Sequence, residues 1–147
     1  VDSHLNALKS GGGIHTQEKI IASMADKYIV LVDESKFHET LPFQVPVVVE
    51  VLPKAFSIVK KKLEELNGNV ELRTAANKDG FLMSDEGNIL LDVYFNDVQD
   101  IGLLNQTLLM MPGIVDTSLF VDILTGFILV NDKGVFKKEK NGEFNAL

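Results

Sequence analysis

Hydrophobic positions along the chain change period several times, and each change marks a new element. Over 16–26 the apolar residues Ile20, Ile21, Met24 and Ala25 recur at helical spacing, which predicts a helix with that face turned inward. Thr16 is placed to cap it, and Glu18 falls in the first turn, where a carboxylate complements the helix dipole. Tyr28-Ile29-Val30-Leu31-Val32 reads as a buried strand ending in the polar turn Asp33-Glu34-Ser35-Lys36. From Val45 a strand pattern sets Val47, Val49 and Val51 against Val48, Glu50 and Leu52. Pro53 suits the first turn of a helix over 53–66, with Phe56, Val59, Leu63 and Leu66 inward and Gly68 as the terminating glycine. Strands are predicted over 70–73 and 89–95, the second after the turn Asp85-Glu86-Gly87-Asn88. A helix over 98–111 stops at Pro112-Gly113, and a strand over 114–121 follows. The tail reads as strands over 127–130 and 135–138 around the turn Asp132-Lys133-Gly134.

Between 45 and 122 the order is strand, helix, strand, strand, helix, strand. That is the split βαβ order of a ferredoxin-like α+β (βαββαβ) domain, and about 75–80 residues is a normal size for one. Residues 1–44 and 123–147 carry strand, turn and helix signals that read as part of an open, Rossmann-like α/β sheet. The expected fold class is therefore α/β: a partial open sheet with an inserted ferredoxin-like domain. No internal repeat or low-complexity linker interrupts it.

Composition narrows the functions. A chain of 147 residues holds one ordinary domain or two small ones sharing a core. With 46% hydrophobic residues and a mean hydropathy of +0.13 it belongs among folded globular proteins. Fourteen Lys and Arg against twenty-one Asp and Glu leave a net charge of −7, which argues against nucleic acid as a partner. Lys60, Lys61 and Lys62 form the one local basic run, on a helix whose other face is apolar, and read as a solvated surface. The absence of cysteine excludes disulfides, thiolate metal sites and cysteine nucleophiles, and fits a reducing, cytoplasmic setting. No apolar run nears the roughly 18–20 residues of a membrane span, so no membrane partner is expected. The opening Val1-Asp2-Ser3-His4 shows no leader pattern and no Met, which points to processing or to sequence missing upstream.

The strongest chemical lead is Lys9-Ser10-Gly11-Gly12-Gly13 immediately before the first helix. Successive glycine N–H groups can converge on one point, and a helix terminus adds partial positive charge, so such a loop can hold phosphate or a developing oxyanion. Lys9 would add a full charge and Glu18 a carboxylate close by in sequence. The alternative is a flexible loop before a capped helix. Lys36 follows a strand, at the end of an open sheet where such folds place ligands, or is simply a solvated turn lysine. Asp33 is as readily explained by bonding to its own turn backbone. His15 adjoins the glycines as a base or as an inert loop residue, and with His4 and His38 it has no metal-ligand spacing.

Together these stretches resemble the type A ribose-5-phosphate isomerases. The resemblance lies in residues 1–9 running into Gly11-Gly12-Gly13, in Thr16-Gln17-Glu18-Lys19-Ile20 and in Val32-Asp33-Glu34-Ser35-Lys36. It continues through Glu50-Val51-Leu52-Pro53, Asp85-Glu86-Gly87-Asn88 with Leu91-Asp92, and Pro112-Gly113-Ile114-Val115-Asp116 with Leu119-Phe120. Glu71-Leu72-Arg73 and Asn77-Lys78 are similar to the family's eukaryote-like branch.

The resemblance implies interconversion of ribose 5-phosphate and ribulose 5-phosphate through an enediol, without metal or cofactor. It implies Glu18 as general base, Lys9 stabilising charge on the sugar oxygens, Gly11 and Gly12 as backbone donors, and Lys36 as a substrate contact. It also implies a homo-oligomer, dimer or tetramer. Two family segments, a phosphate-gripping Ser/Thr/Gly loop and an acidic Gly-Ala-Asp-Glu stretch, would lie upstream of Val1. The chain is then expected to be the C-terminal portion of the isomerase and to bind sugar phosphate poorly without the remainder. Ser10 and Ser118 stand where the family carries glycine, and Ser10 would be strained if that position needs φ > 0. Two other classes compete with the enzyme: a non-catalytic sugar-phosphate-binding or regulatory module, and an insert serving chiefly in assembly.

Overall fold

The computed structural model describes residues 1–75, 78–140, 142 and 144–146. Asn77, part of the resemblance, and residues 141, 143 and 147 of the tail lie outside them. The chain divides into a terminal unit, Val1–Leu8 with Gln17–Pro42 and Phe120–Leu147, and a central unit, Lys9–Thr16 with Phe43–Leu119.

In the central unit the strand Val47–Val51 is buried at every position, Glu50 included. Its order in the sheet explains this. The strands run Asn69–Leu72, Ile89–Tyr94, Val47–Val51, Ile114–Thr117, each antiparallel to its neighbour, so the first and third strands in sequence lie in the middle. With two helices between them, this is the antiparallel βαββαβ sheet of a ferredoxin-like fold. Helix α2 (Phe56–Glu65) follows a 3₁₀ turn, Pro53–Ala55, and buries Val59 and Leu63 completely. Lys60 and Lys61 pair with Glu64 and Glu65 on its outer side, both at 3.8 Å. Leu66 is more exposed than its spacing predicts, because the helix has ended and Leu66 is its C-cap.

The stop itself differs in detail from expectation. Asn67, not Gly68, takes the left-handed conformation, with φ +60°. The Asn67 N–H donates to Glu64 O and the Gly68 N–H to Leu63 O, both at 3.0 Å, the paired bonds of a Schellman cap. Gly68 is needed for another reason: a Cβ there would stand 2.7 Å from Val93 Cγ1 and 2.9 Å from Leu63 O. Helix α3 is shorter than the predicted 98–111 and occupies Ile101–Leu109. Asp100 is extended, and its carboxylate accepts from the Leu103 N–H at 2.8 Å, which fixes where the helix can begin. The predicted strand over 114–121 is split into Ile114–Thr117 and Leu119–Phe120 at Ser118. Ser118 is fully buried, its Oγ accepting from the Val48 N–H and its own N–H donating to Val48 O, both at 2.8 Å. The serine thus supplies an acceptor that glycine has not.

The terminal unit carries a four-stranded sheet in the order Asn145–Ala146, Gly134–Glu139, Gly126–Asn131, Ile29–Asp33. The middle pair is an antiparallel hairpin, and Ile29–Asp33 runs parallel to Gly126–Asn131. Leu5, Ala7, Phe120, Leu124, Phe127 and Leu129 form its core, with Tyr28, Val30, Val32 and Phe37 packed against them. Strand 29–33 is buried on one face only. Val30 and Val32 point into the core, whereas Leu31 between them is exposed, as alternation at a sheet edge requires. Helix α1 (His15–Met24) also departs from expectation: Ile20, Ile21 and Met24 are exposed, and Ala25 lies beyond its end. The helical period is real, but none of the described residues covers that face.

Candidate active site

The glycine segment is anchored at several points within the central unit. The Lys9 N–H donates to Ser118 O at 3.0 Å, and the Ser10 hydroxyl donates to Pro46 O. Arg73 grips the loop through its carbonyls, with Nη2 on Ser10 O at 2.6 Å and Nη1 on Gly11 O at 3.2 Å. Its Nε donates to Asp92 Oδ1 at 2.9 Å. Ser10 is not among the residues with positive φ, so serine is accommodated there without backbone strain.

The three glycines are not equivalent. Gly13 is buried with φ +67°, and a Cβ on it would lie 2.8 Å from Leu90 Cδ1. Only glycine fits there without displacing the core. Gly11 and Gly12 are exposed and adopt no left-handed conformation. A Cβ on Gly11 meets no atom within 4 Å, and one on Gly12 meets only the Ile14 side chain, at 3.3 Å. The fold therefore explains Gly13 and leaves Gly11 unexplained. Bare backbone facing open space is what close approach of a ligand to N–H groups calls for.

The central unit also buries a carboxylate that the sequence pattern did not single out as functional. Glu50 is 1% exposed and accepts hydrogen bonds from the Thr16 hydroxyl, from Ser84 Oγ at 2.7 Å and from Asn88 Nδ2 at 2.8 Å. Burial pushes its pKa up, but the three donors and the neighbouring His15 together hold it below the ordinary carboxylate value. Thr16 accordingly sits inside α1 and ties the helix start to Glu50; it does not cap the helix as predicted. His15 is the first residue of α1 and fully buried, which removes it as a loop base. The signal for Glu50 was one charge in the run Val47-Val48-Val49-Glu50-Val51, a place where a carboxylate survives only with partners.

Lys9, Gly11 and Gly12 thus share one loop of the central unit, while Glu18 and Lys36 belong to the terminal unit. Glu18 is half-buried in the first turn of α1. Lys36 ends the 3₁₀ turn Glu34–Lys36, exposed, with Nζ 2.6 Å from Asp33 Oδ2. Lys36, and then Ser35, hold the Asp33 carboxyl down at about 2. The Ser35 N–H bonds Asp33 Oδ1 at 3.1 Å, so Asp33 does cap its own turn. Among the described residues no three His, Asp or Glu side chains gather as metal ligands, and no helix is long and apolar enough to cross a membrane.

The profile of the family described as ribose 5-phosphate isomerase A (phosphoriboisomerase A) matches residues 1–134. A ribose-5-phosphate isomerase A from Thermosynechococcus vestitus is 43% identical over 123 residues, covering 84% of this chain and 52% of the relative. One from Thermococcus kodakarensis is 40% identical over 140 residues, covering 95% and 61%. The solved ribose 5-phosphate isomerase A of Methanocaldococcus jannaschii superposes with a TM-score of 0.87 at 35% identity, again over 95% of this chain and 61% of that one. A D-ribose-5-phosphate isomerase solved in complex with phospho-erythronic acid superposes at 0.88 with 37% identity and the same coverage. The chain spans about half to three fifths of the length of these relatives. By profile, identity and fold, it belongs to the ribose 5-phosphate isomerase A family.

Proposed function

We propose that the chain serves in an aldose–ketose isomerase that interconverts ribose 5-phosphate and ribulose 5-phosphate through an enediol. The observation that carries the reading is the loop Lys9–Gly13: its back is clamped by Arg73, while Gly11 and Gly12 present exposed backbone and Gly11 has no steric need to be glycine. In the open-chain aldose, Glu18 removes the proton from C2 as the C1 carbonyl oxygen gains one. The resulting enediol loses its O2 proton, and C1 receives the proton that Glu18 carried, which completes the ketose with no net change in atoms or electrons. A positioned carboxylate contributes about 10²–10⁴-fold to such a step. The Lys9 ammonium and the Gly11 and Gly12 N–H groups stabilise the negative charge that develops on the sugar oxygens. Lys36 holds a peripheral oxygen of the substrate. Phospho-erythronic acid, bound by one relative, joins a phosphate to a planar carboxylate, whose two oxygens resemble those of an enediolate. The exposed Ile20, Ile21, Met24 and Leu31 fit further association, and we include self-assembly in the proposal.

The test is conversion of ribose 5-phosphate by this chain joined to the part of the Thermococcus kodakarensis relative that the match leaves uncovered, with phospho-erythronic acid binding followed by calorimetry. Turnover with inhibition by the acid is expected. Tight binding without turnover would replace the enzyme by a sugar-phosphate-binding module, and neither binding nor turnover would refute both readings. Sedimentation at several concentrations tests self-assembly, and a strictly monomeric protein would refute it.

A further inference from the structure

Arg73 follows the strand Asn69–Leu72 with its backbone fixed on both sides. Its N–H donates to Leu90 O at 3.1 Å, and its carbonyl accepts from the Leu82 N–H at 2.6 Å. The side chain is 12% exposed, and all three guanidinium nitrogens are engaged: Nε on Asp92, Nη2 on Ser10 O, Nη1 on Gly11 O. Asp92 stands in the adjoining strand, opposite Glu71 in register.

The consequence follows from peptide geometry. In a trans peptide unit the C=O and the N–H of the next residue point in opposite directions, and the described residues contain no cis peptide. The Ser10 carbonyl shares its unit with the Gly11 N–H, and the Gly11 carbonyl shares its unit with the Gly12 N–H. A guanidinium that draws those two carbonyls to one side therefore turns those two N–H groups to the other. Glycines flank the second unit and impose little steric preference of their own, so the orientation has to come from a partner.

We infer that Arg73, held by Asp92, is a positioning residue that sets the Gly11 and Gly12 N–H groups as paired donors toward an anionic oxygen. This rests on the isomerase reading, in which those amides meet the sugar oxygens, and extends it to a residue that touches no substrate. Lysine is not a substitute: a single ammonium has no planar fork with which to hold two carbonyls and a carboxylate at once.

The experiment compares Arg73→Lys, Asp92→Asn and Gly11→Ala in the joined polypeptide. It follows ribose 5-phosphate conversion together with N–H dipolar couplings of Gly11 and Gly12 by NMR. Arg73→Lys is expected to lower kcat about 10²-fold, as misplaced oxyanion donors do, with a smaller change in KM. It should also reorient or broaden both glycine amides while the resonances of residues 47–51 stay in place. Asp92→Asn should move the same quantities in the same direction by less. If Arg73→Lys leaves couplings and turnover unchanged while Gly11→Ala lowers turnover, the positioning role is overturned and the isomerase reading stands. If Gly11→Ala is silent as well, the glycine amides do not meet the sugar oxygens and the inference is overturned, whereas the isomerase reading fails only if the unsubstituted joined polypeptide shows no turnover. Loss of spectral dispersion throughout the central unit in Arg73→Lys would also overturn it, since the arginine would then be a general scaffold residue.

Discussion

Glu50 offers the sharpest test of how the central unit holds the start of α1. Its carboxylate is 1% exposed and accepts from Thr16, Ser84 and Asn88. Hydrogen bonds to a charged group contribute about 1.5–3 kcal/mol each, but these three share one acceptor and do not add. Glu50→Ala also leaves the donors buried without their acceptor, so the expected loss is about 3–5 kcal/mol. At about 2 kcal/mol per molar urea, that lowers the unfolding midpoint by roughly 1.5–2.5 M. Glu50→Gln keeps the shape and the oxygen facing Ser84 and Asn88, and turns an amide toward the Thr16 hydroxyl, which can rotate to accept. Its cost should be about 1–2 kcal/mol.

The acid limb supplies an independent check. Because the folded pKa of Glu50 lies below the unfolded value of 4.5, its contribution is complete above that value. It is lost as pH falls through the folded pKa, where the unfolded chain binds the extra proton. Glu50→Gln should therefore flatten the acid limb as well as lower the plateau. Urea unfolding followed by far-UV circular dichroism between pH 7 and acid measures both. A Glu50→Gln protein as stable as the wild type, with the same acid slope, would refute the buried anionic hub.

Three further outcomes follow from the same geometry. Gly13→Ala should cost about 2–4 kcal/mol, combining left-handed strain with the overlap on Leu90, and thermal unfolding will show it. Gly11→Ala should leave stability unchanged or up to about 1 kcal/mol higher, yet reduce kcat/KM; a matching fall in stability would contradict the open space described for Gly11. Lys36→Met should raise the Asp33 pKa from about 2 toward the ordinary range, read from its side-chain carboxyl ¹³C shift, since Lys36 is the chief cause of its depression.

Local signals carried much of the fold. Pro53 and the spacing of Val59 and Leu63 located α2, and the βαββαβ order emerged from alternation and turns. Periodicity reports a face, however, and not what lies against it. Ile20, Ile21 and Met24 form a genuine helical stripe, but their exposure depends on neighbours that a local window does not contain. Boundaries moved where side chains competed for the backbone: Asp100 delayed α3, Asn67 took the left-handed turn, and Ser118 broke a strand by supplying its own hydroxyl to Val48. At the site, the glycine loop was legible because glycine runs are conspicuous. Its supports were not. Arg73 lies 62 residues from Gly11 and Glu50 lies 34 from Thr16, and such pairings exist only once the sheet has formed. The buried state of His15 was hidden for the same reason.

The proposed role of Glu18 is to move a proton between the first two carbons of a pentose 5-phosphate. The measurement is ribose 5-phosphate conversion by the joined polypeptide, wild type against Glu18→Gln, with phospho-erythronic acid affinity determined for both. Turnover is expected to fall at least about 10²-fold, with binding retained within a few fold. Equal turnover in the two proteins would contradict it.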